Sequence, residues 1–319
     1  MLYHQETAEQ LTAKLLQIAE QAEPAPVLRD NRVLLITYAN TIYTEDEAPL
    51  QTLRRFLKRH IGATMDAVHL LPFYPSSSDD GFAVIDYRMV DHHVGSWEDV
   101  RALAEDYDLM FDLVINHCSR ESLWFADFIS GREPGKHFFI TLPEESDTSA
   151  VVRPRSTPLI SAVHTYAGIR HVWNTFSDDQ IDLDFSNPAV LIEFVEILFF
   201  YVAQGARLIR LDAIAFLWKR LGTSCMSLPE THVVVKVLRL LLDHAGSGVQ
   251  MVSETNVPHE ENISYFGQGD EAHIVYQFSL APLLLYSYVF GDASYLTTWA
   301  ARLSAPPQGS TYLNFMASH

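Results

Sequence analysis

Two segments with strand character end on carboxylates set among different neighbours. One reads Arg210-Leu-Asp212 and the other Ser253-Glu254-Thr255-Asn256. Side chains alternate along a strand, so Arg210 and Asp212 share a face. A guanidinium beside a carboxylate favours the ionised form and lowers its pKa. Its hydrogen bonds also hold the carboxylate in one orientation. A low-pKa, oriented carboxylate is what a glycosyl nucleophile requires. Glu254 follows the apolar Met251-Val252 and has no Arg or Lys near it in sequence. A less charged setting would keep its pKa raised, as a general acid needs. Two carboxylates with divided roles, roughly 5 Å apart, are the minimum for retaining glycosyl transfer. The plainer alternative is a structural salt bridge for Arg210/Asp212 and a helix cap for Glu254.

Other apolar segments also end on polar residues. One closes with Asp112-Leu-Val-Ile-Asn116-His117, one runs into Asp79-Asp80-Gly81-Phe82, and the last ends Ala317-Ser318-His319. A single strand-end Asp is ordinarily a cap or turn residue. Five such ends in succession point to one shared site.

The elements that must position these residues alternate. Short apolar, β-branched runs predict strands over residues 33–39, 67–73, 109–115, 206–211, 249–253, 274–278 and 312–315. Helical spacing predicts helices over 50–60, with Leu53, Phe56 and Leu57 on one face, and over 97–107 and 231–244. Near-continuous apolar runs are strands buried on both faces, the signature of a parallel sheet. The alternation fits an open doubly wound sheet or a closed barrel. Leu11, Leu15, Leu16 and Ile18 predict an N-terminal helix stopped by Pro24 and Pro26, a docking extension over residues 1–30. Residues 118–180 lack periodicity and carry the pair Arg153-Pro-Arg155. So long a loop is usually functional or a small subdomain.

Composition narrows the class. The chain has 319 residues, 48% of them hydrophobic and 19% charged, which fits a folded protein and not a disordered one. Lys plus Arg is 22 against 40 Asp plus Glu, a formal net charge of −18. Such a chain is a poor partner for nucleic acid phosphates or an anionic membrane, although a local pocket for one small anion stays open. Cys118 and Cys225 are too few for a disulfide framework or a zinc site, so two buried thiols in a reducing, cytoplasmic setting are expected. The apolar stretches around 197–203 and 280–290 are too short or interrupted to span a bilayer. Gly267-Gln-Gly269 lacks the strand-loop-helix setting of a dinucleotide fingerprint.

Taken in order, these segments resemble the α-amylase family of glycoside hydrolases, and within it the sucrose phosphorylase-like subfamily. Asp112-Leu-Val-Ile-Asn116-His117, Gly205-Ala-Arg-Leu-Ile-Arg210-Leu-Asp212, Ser253-Glu254-Thr255-Asn256 and Asn314-Phe-Met-Ala-Ser-His319 resemble its four conserved regions. Gln180-Ile-Asp182-Leu-Asp184 resembles the short motif that closes its inserted domain. The resemblance implies an α/β fold, a (β/α)8 TIM barrel over residues 31–117 and 181–319, with 118–180 as an inserted subdomain B. It implies Asp212 as nucleophile, Glu254 as acid/base and Arg210 as the group orienting Asp212. His117 and His319 would bind glucose hydroxyls, Asp79 would grip the far side of the sugar, and Phe82 would form a stacking wall. Arg153 and Arg155 resemble the subfamily's mobile loop that brings an Arg to the acceptor.

The implied activity is reversible α-glucosyl transfer, with retention, between an α-glucoside and inorganic phosphate. Alternatives on the same barrel are an α-glucoside hydrolase or transglucosidase, and a non-catalytic amylase-like binding protein. Ile36-Thr-Tyr-Ala39, His69-Leu-Leu-Pro72 and Gly222-Thr-Ser-Cys225 are similar to the phosphorylase group. Sucrose phosphorylases carry Tyr and His where this chain has Phe216 and Asn256. Glu254-Thr-Asn-Val-Pro-His259 and Ser78-Asp-Asp-Gly-Phe82 are more similar to glucosylglycerate phosphorylases, with glucosylglycerol phosphorylases as near relatives. No cofactor is implied. Asp112, Asp182 and Asp184 could be read as calcium ligands, but the subfamily generally lacks that ion and none is expected. The family's third catalytic Asp, eighth strand and C-terminal β-domain would follow His319. The chain is therefore expected to be part of a longer protein, and to turn over negligibly alone.

Overall fold

The computed structural model describes residues 2–22 and 33–318. Helix α1 (Gln5–Ala19) comes first, then strand β1 (Leu34–Thr37), α2 (Pro49–His60), β2 (Ala67–Leu70), α3 (Trp97–Ala104) and β3 (Asp108–Val114). The segment that follows carries β4 (His117–Ser119), α4 (Leu123–Ser130), β5 (Thr141–Leu142), β6 (Ile160–Thr165), β7 (Gly168–Trp173) and β8 (Gln180–Asp182). The alternation resumes with α5 (Pro188–Ala203), β9 (Ala206–Asp212), α6 (Pro229–His244), β10 (Gln250–Ser253) and α7 (His259–Ser264). The last elements are β11 (Ile274–Tyr276), α8 (Leu280–Phe290), α9 (Ser294–Arg302) and β12 (Thr311–Leu313).

Seven strands form one sheet in the order β1-β2-β3-β9-β10-β11-β12, and every pairing is parallel. This is the curled sheet of a partial TIM barrel. Strand alternation sends one set of side chains outward, beneath the helices, and the other inward. Met110, Leu208, Val252, Ile274 and Tyr276 make a small apolar cluster separate from the main core. Two residues beyond Met110, Leu208 and Val252 stand Asp112, Arg210 and Glu254, so the same inward rows turn polar at the C-terminal rim. Because the strands are parallel, their C-terminal ends share one rim.

Local signals account for the helix boundaries. Ser96 and Asp99 exchange hydrogen bonds in a capping box that starts α3. Ser122 caps α4, and Gly131 ends it at φ 71°. Pro stands at the first turn of α2, α5 and α6, where its missing N–H costs no hydrogen bond. Helix α5 is apolar nearly all round and was not predicted, since it lacks a one-sided stripe. It lies under α1, whose Leu11, Leu15, Ile18 and Ala19 are buried.

Other expectations need correction. Phe56 is 36% exposed, because Leu50, Leu53 and Leu57 form the buried stripe of α2 and Phe56 lies at its edge, against the His60 ring. Pro24, Pro26 and His319 lie outside the described residues. Residues 118–180, read as aperiodic, contain α4, the antiparallel sheet β5-β7-β6 and the pair β4-β8. Strands β5, β6 and β7 are short and mostly half-buried or exposed, so polarity hides their period, while β4 and β8 are buried but only three residues long. Helices α8 and α9 were also missed; Leu285, Tyr288, Val289 and Phe290 of α8 are exposed. A cavity of about 440 Å³ separates the two sheet edges, lined by Val33, Leu34 and Ile36 on one side and Leu280, Leu284, Leu313 and Phe315 on the other. No helix among the described residues is long and apolar enough to cross a membrane.

Candidate active site

Asp112 on β3, Arg210 and Asp212 on β9, Glu254 just after β10 and Tyr276 at the end of β11 converge at the rim. Four of them, Arg210, Asp212, Glu254 and Tyr276, line a cavity of about 540 Å³. Arg210 is the hub. Its Nη1 donates to Asp212 Oδ1 at 2.8 Å and also to Asp112 Oδ1, while Nη2 lies 4.0 Å from Glu254 Oε2. The Phe82 and Tyr276 rings sit 5.6 and 5.9 Å from the guanidinium, within cation–π range. Glu254 is fixed from two sides. Its N–H donates to the Leu211 carbonyl at 3.2 Å, and its Oε2 accepts from the Ala213 N–H at 3.1 Å. Ala213 adopts φ 52°, which turns the chain sharply just after Asp212.

The electrostatics differ from the sequence reading in two respects. Arg210 pulls the Asp212 pKa down as expected, but burial outweighs it, and Glu254 and Asp112 push the same way. The net result is a carboxyl raised to about 7. Glu254 does not occupy the uncharged setting expected of it, because Arg210 comes from another strand to within 4.0 Å. Asp112 shows the opposite balance. Burial opposes its charge, yet His69, 2.8 Å away, and Arg210 hold it at about 2.

The remaining predicted residues are mostly brought to the same hollow. Asp79, Phe82, His117 and Arg155 line it. His117 is buried, with Nε2 3.0 Å from the Phe82 carbonyl, and burial lowers its pKa. Arg153 is not on the lining. Its Nη1 faces the carbonyls of Asn174 and Thr175, both at 3.4 Å, so only Arg155 of the pair reaches the cavity. Phe216 and Asn256 line the cavity as well. Sequence reasoning assigned no role to Tyr38, Phe176, Gln180 or Tyr276, which complete much of the wall. Tyr38 and Gln180 lie within motifs already singled out; Tyr276 ends an apolar run that carries no polar signal.

The three acids considered as calcium ligands do not converge. Asp112 is engaged by His69 and Arg210, and Asp184 by Ser186. Asp182 accepts from Lys219 Nζ at 2.6 Å and from Thr175 and Asn116. A larger hollow of about 780 Å³ lies beside α1 and α5, lined by Lys14, Arg88, Glu196 and Arg207. Only the N-terminal start of β9 reaches it, at the end of the sheet away from the polar rim, and Lys14 and Arg88 there pair with Glu196.

A curled parallel sheet with its polar residues gathered at the C-terminal rim defines the α/β-barrel class. Residues 57–299 match the family described as the α-amylase catalytic domain, and the chain belongs to the α-amylase family. Two glucosylglycerate phosphorylases are similar to it. The one from Allomeiothermus silvanus is 52% identical over 90% of this chain and 52% of its own length. The one from Spirochaeta thermophila is 51% identical over 90% of this chain and 49% of its own. The chain thus spans about half the length of these relatives. Among solved structures, sucrose 6F-phosphate phosphorylase from Thermoanaerobacter thermosaccharolyticum superposes with a TM-score of 0.80 at 28% identity, over 92% of this chain and 60% of that one.

Proposed function

We propose that this chain forms the donor half of a retaining glycoside phosphorylase, which moves an α-glucosyl group between an α-glucoside and inorganic phosphate to give α-glucose 1-phosphate. One observation carries the proposal: Asp212 and Glu254 come from adjacent strands onto opposite nitrogens of Arg210, at the wall of one sugar-sized cavity. Arg210 fixes Oδ1 of Asp212, leaving Oδ2 to attack the anomeric carbon. Glu254 donates its proton to the departing glycosidic oxygen as that bond breaks. In the second half-reaction a phosphate oxygen attacks the glucosyl ester, and Glu254 takes back a proton. Asp79, His117 and Phe82 would hold the glucosyl unit, and residues 118–180 would act as an inserted subdomain closing over it.

Glycerate is the acceptor favoured. Identity to glucosylglycerate phosphorylases is 51–52%, against 28% to the sucrose 6F-phosphate enzyme. Arg155 on the lining suits a carboxylate or a phosphate, which its planar fork can bind through two hydrogen bonds. The test is to express the protein as its open reading frame encodes it and supply glucose 1-phosphate with glycerate, glycerol or fructose. Phosphate release fastest with glycerate is expected. Release with none of the three, or free glucose formed at the same rate without an acceptor, overturns the assignment.

A further inference from the structure

We infer that Asp179 is a positioning residue that holds the loop carrying Asp79 in its sugar-binding shape, a role that rests on the function proposed above. Asp79 and Asp80 adopt φ 55° and 49°, two successive non-glycine residues in the left-handed region. L residues rarely adopt that conformation, and it persists only where the surroundings over-determine it. Part of the restraint is internal. The Phe82 N–H donates to the Asp79 carbonyl at 3.0 Å, and the Ala83 N–H to the Ser78 carbonyl at 3.3 Å. Beneath the turn, Gly81 packs so closely on Pro72 that an added Cβ would lie 2.7 Å from its carbonyl oxygen.

More comes from outside the loop: Ser119 meets Ser77 Oγ and donates its N–H to the Val84 carbonyl at 2.8 Å, and two consecutive residues hold the turn itself. Asp179 Oδ2 accepts from Ser77 Oγ at 2.6 Å and from Ser78 Oγ. Gln180 Nε2 donates to Asp79 Oδ2 at 2.9 Å. Residues 179 and 180 therefore grip residues 77, 78 and 79 in turn. The grip has a firm base. Gln180 pairs with Ser119 across β4-β8, and the Arg120 N–H donates to the Asp179 carbonyl at 2.8 Å. Gln180 lines the cavity and Asp179 does not, so Asp179 acts through the loop and never on the sugar itself. The same carboxylate oxygen serves both serines, so one substitution removes the acceptor of both and leaves Ser77 only its contact with the Ser119 hydroxyl.

The test uses Asp179→Ala, Asp179→Asn and, as a control on the exposed neighbour, Asp178→Ala. Charge-assisted hydrogen bonds of this kind correspond to roughly 10-fold or more. Asp179→Ala is expected to raise KM for glucose 1-phosphate by about that factor while kcat changes far less. Asp179→Asn, which keeps an acceptor oxygen, recovers most of the loss, and Asp178→Ala matches the parent. In combination with Asp79→Ala, Asp179→Ala adds little, because its effect runs through Asp79. Amide exchange across residues 76–84 rises in Asp179→Ala and not in Asp178→Ala, a readout independent of turnover. An active parent whose KM ignores Asp179→Ala, or losses that simply multiply with Asp79→Ala, overturns this role alone. Unchanged exchange in the loop does so too. A parent that transfers no glucosyl group overturns the functional assignment, and this role with it.

Discussion

The Lys219 ammonium sits 2.6 Å from the Asp182 carboxylate, with 4% and 0% of the two side chains exposed. Asn116 Oδ1 accepts from the same ammonium at 2.6 Å, and Asp182 also takes the Thr175 hydroxyl and N–H. The pair thus ties β8 to the loop after β9, on either side of the cavity. Removing one partner of a buried ion pair leaves the other charge uncompensated, at a cost of about 3–5 kcal/mol. Lys219→Met is therefore expected to destabilise the protein by about that much, read by urea unfolding. A loss below about 1 kcal/mol would show the pair to be dispensable. Added calcium should leave the parent's Tm unchanged, because an ammonium already occupies the Asp182 carboxylate.

Asp212 gives two linked predictions. Its folded pKa is raised from 3.8 to about 7, so the native state holds that proton more tightly than the unfolded chain. This contribution is fully present below pH ~4 and is lost as pH rises toward 7. Asp212→Asn has no such titration, so its Tm relative to the parent should improve steadily between pH 4 and 7. A flat difference would contradict the raised pKa. In the proposed reaction Asp212 attacks as the carboxylate, so the parent's kcat/KM is expected to climb across the same window. On the proposed role of Asp212 as covalent nucleophile, Asp212→Asn should lose at least ~10³-fold in kcat.

Asp112 titrates in the other direction. Its pKa is held near 2, below the unfolded 3.8, so its stabilisation is present above pH ~4 and lost as pH falls through 2. The shift is worth about 2 kcal/mol. Asp112→Asn should unfold more easily at pH 7 and show a shallower acid transition between pH 4 and 2. Parallel acid curves for the two proteins would place the acid sensitivity elsewhere.

Arg155 should discriminate between acceptors by charge. Arg155→Ala is expected to raise KM for glycerate by ~10-fold or more, the scale of a hydrogen bond to a charged group. KM for uncharged glycerol should change far less. Arg153→Ala should affect both acceptors equally and weakly, since its guanidinium faces backbone carbonyls away from the lining. Equal losses for glycerate and glycerol in Arg155→Ala would remove the carboxylate from its role.

The strands and the polar ends that follow them were legible because each depends on local chemistry. Apolar β-branched runs marked all seven strands of the main sheet, and period-two alternation placed Arg210 and Asp212 on one face, where they bond. Helix α5 was hidden for a physical reason: it is buried on most sides, so its sequence carries no stripe. Arg153 and Arg155 illustrate the same limit at the site. Two like residues in one loop were equivalent in sequence, and only the fold turned one toward the cavity and the other toward the Asn174 carbonyl.

The amino-acid order alone determined the α/β alternation, the identity of the two rim carboxylates and the arginine that accompanies the first. Tertiary structure alone decided their electrical setting. Arg210 reaches Glu254 from a different strand, Asp112 and Glu254 crowd Asp212, and burial overrides the neighbour that lowers its pKa. Charge interactions act through space at a few ångströms and desolvation depends on everything packed around a group, so neither is written in the spacing of residues along the chain.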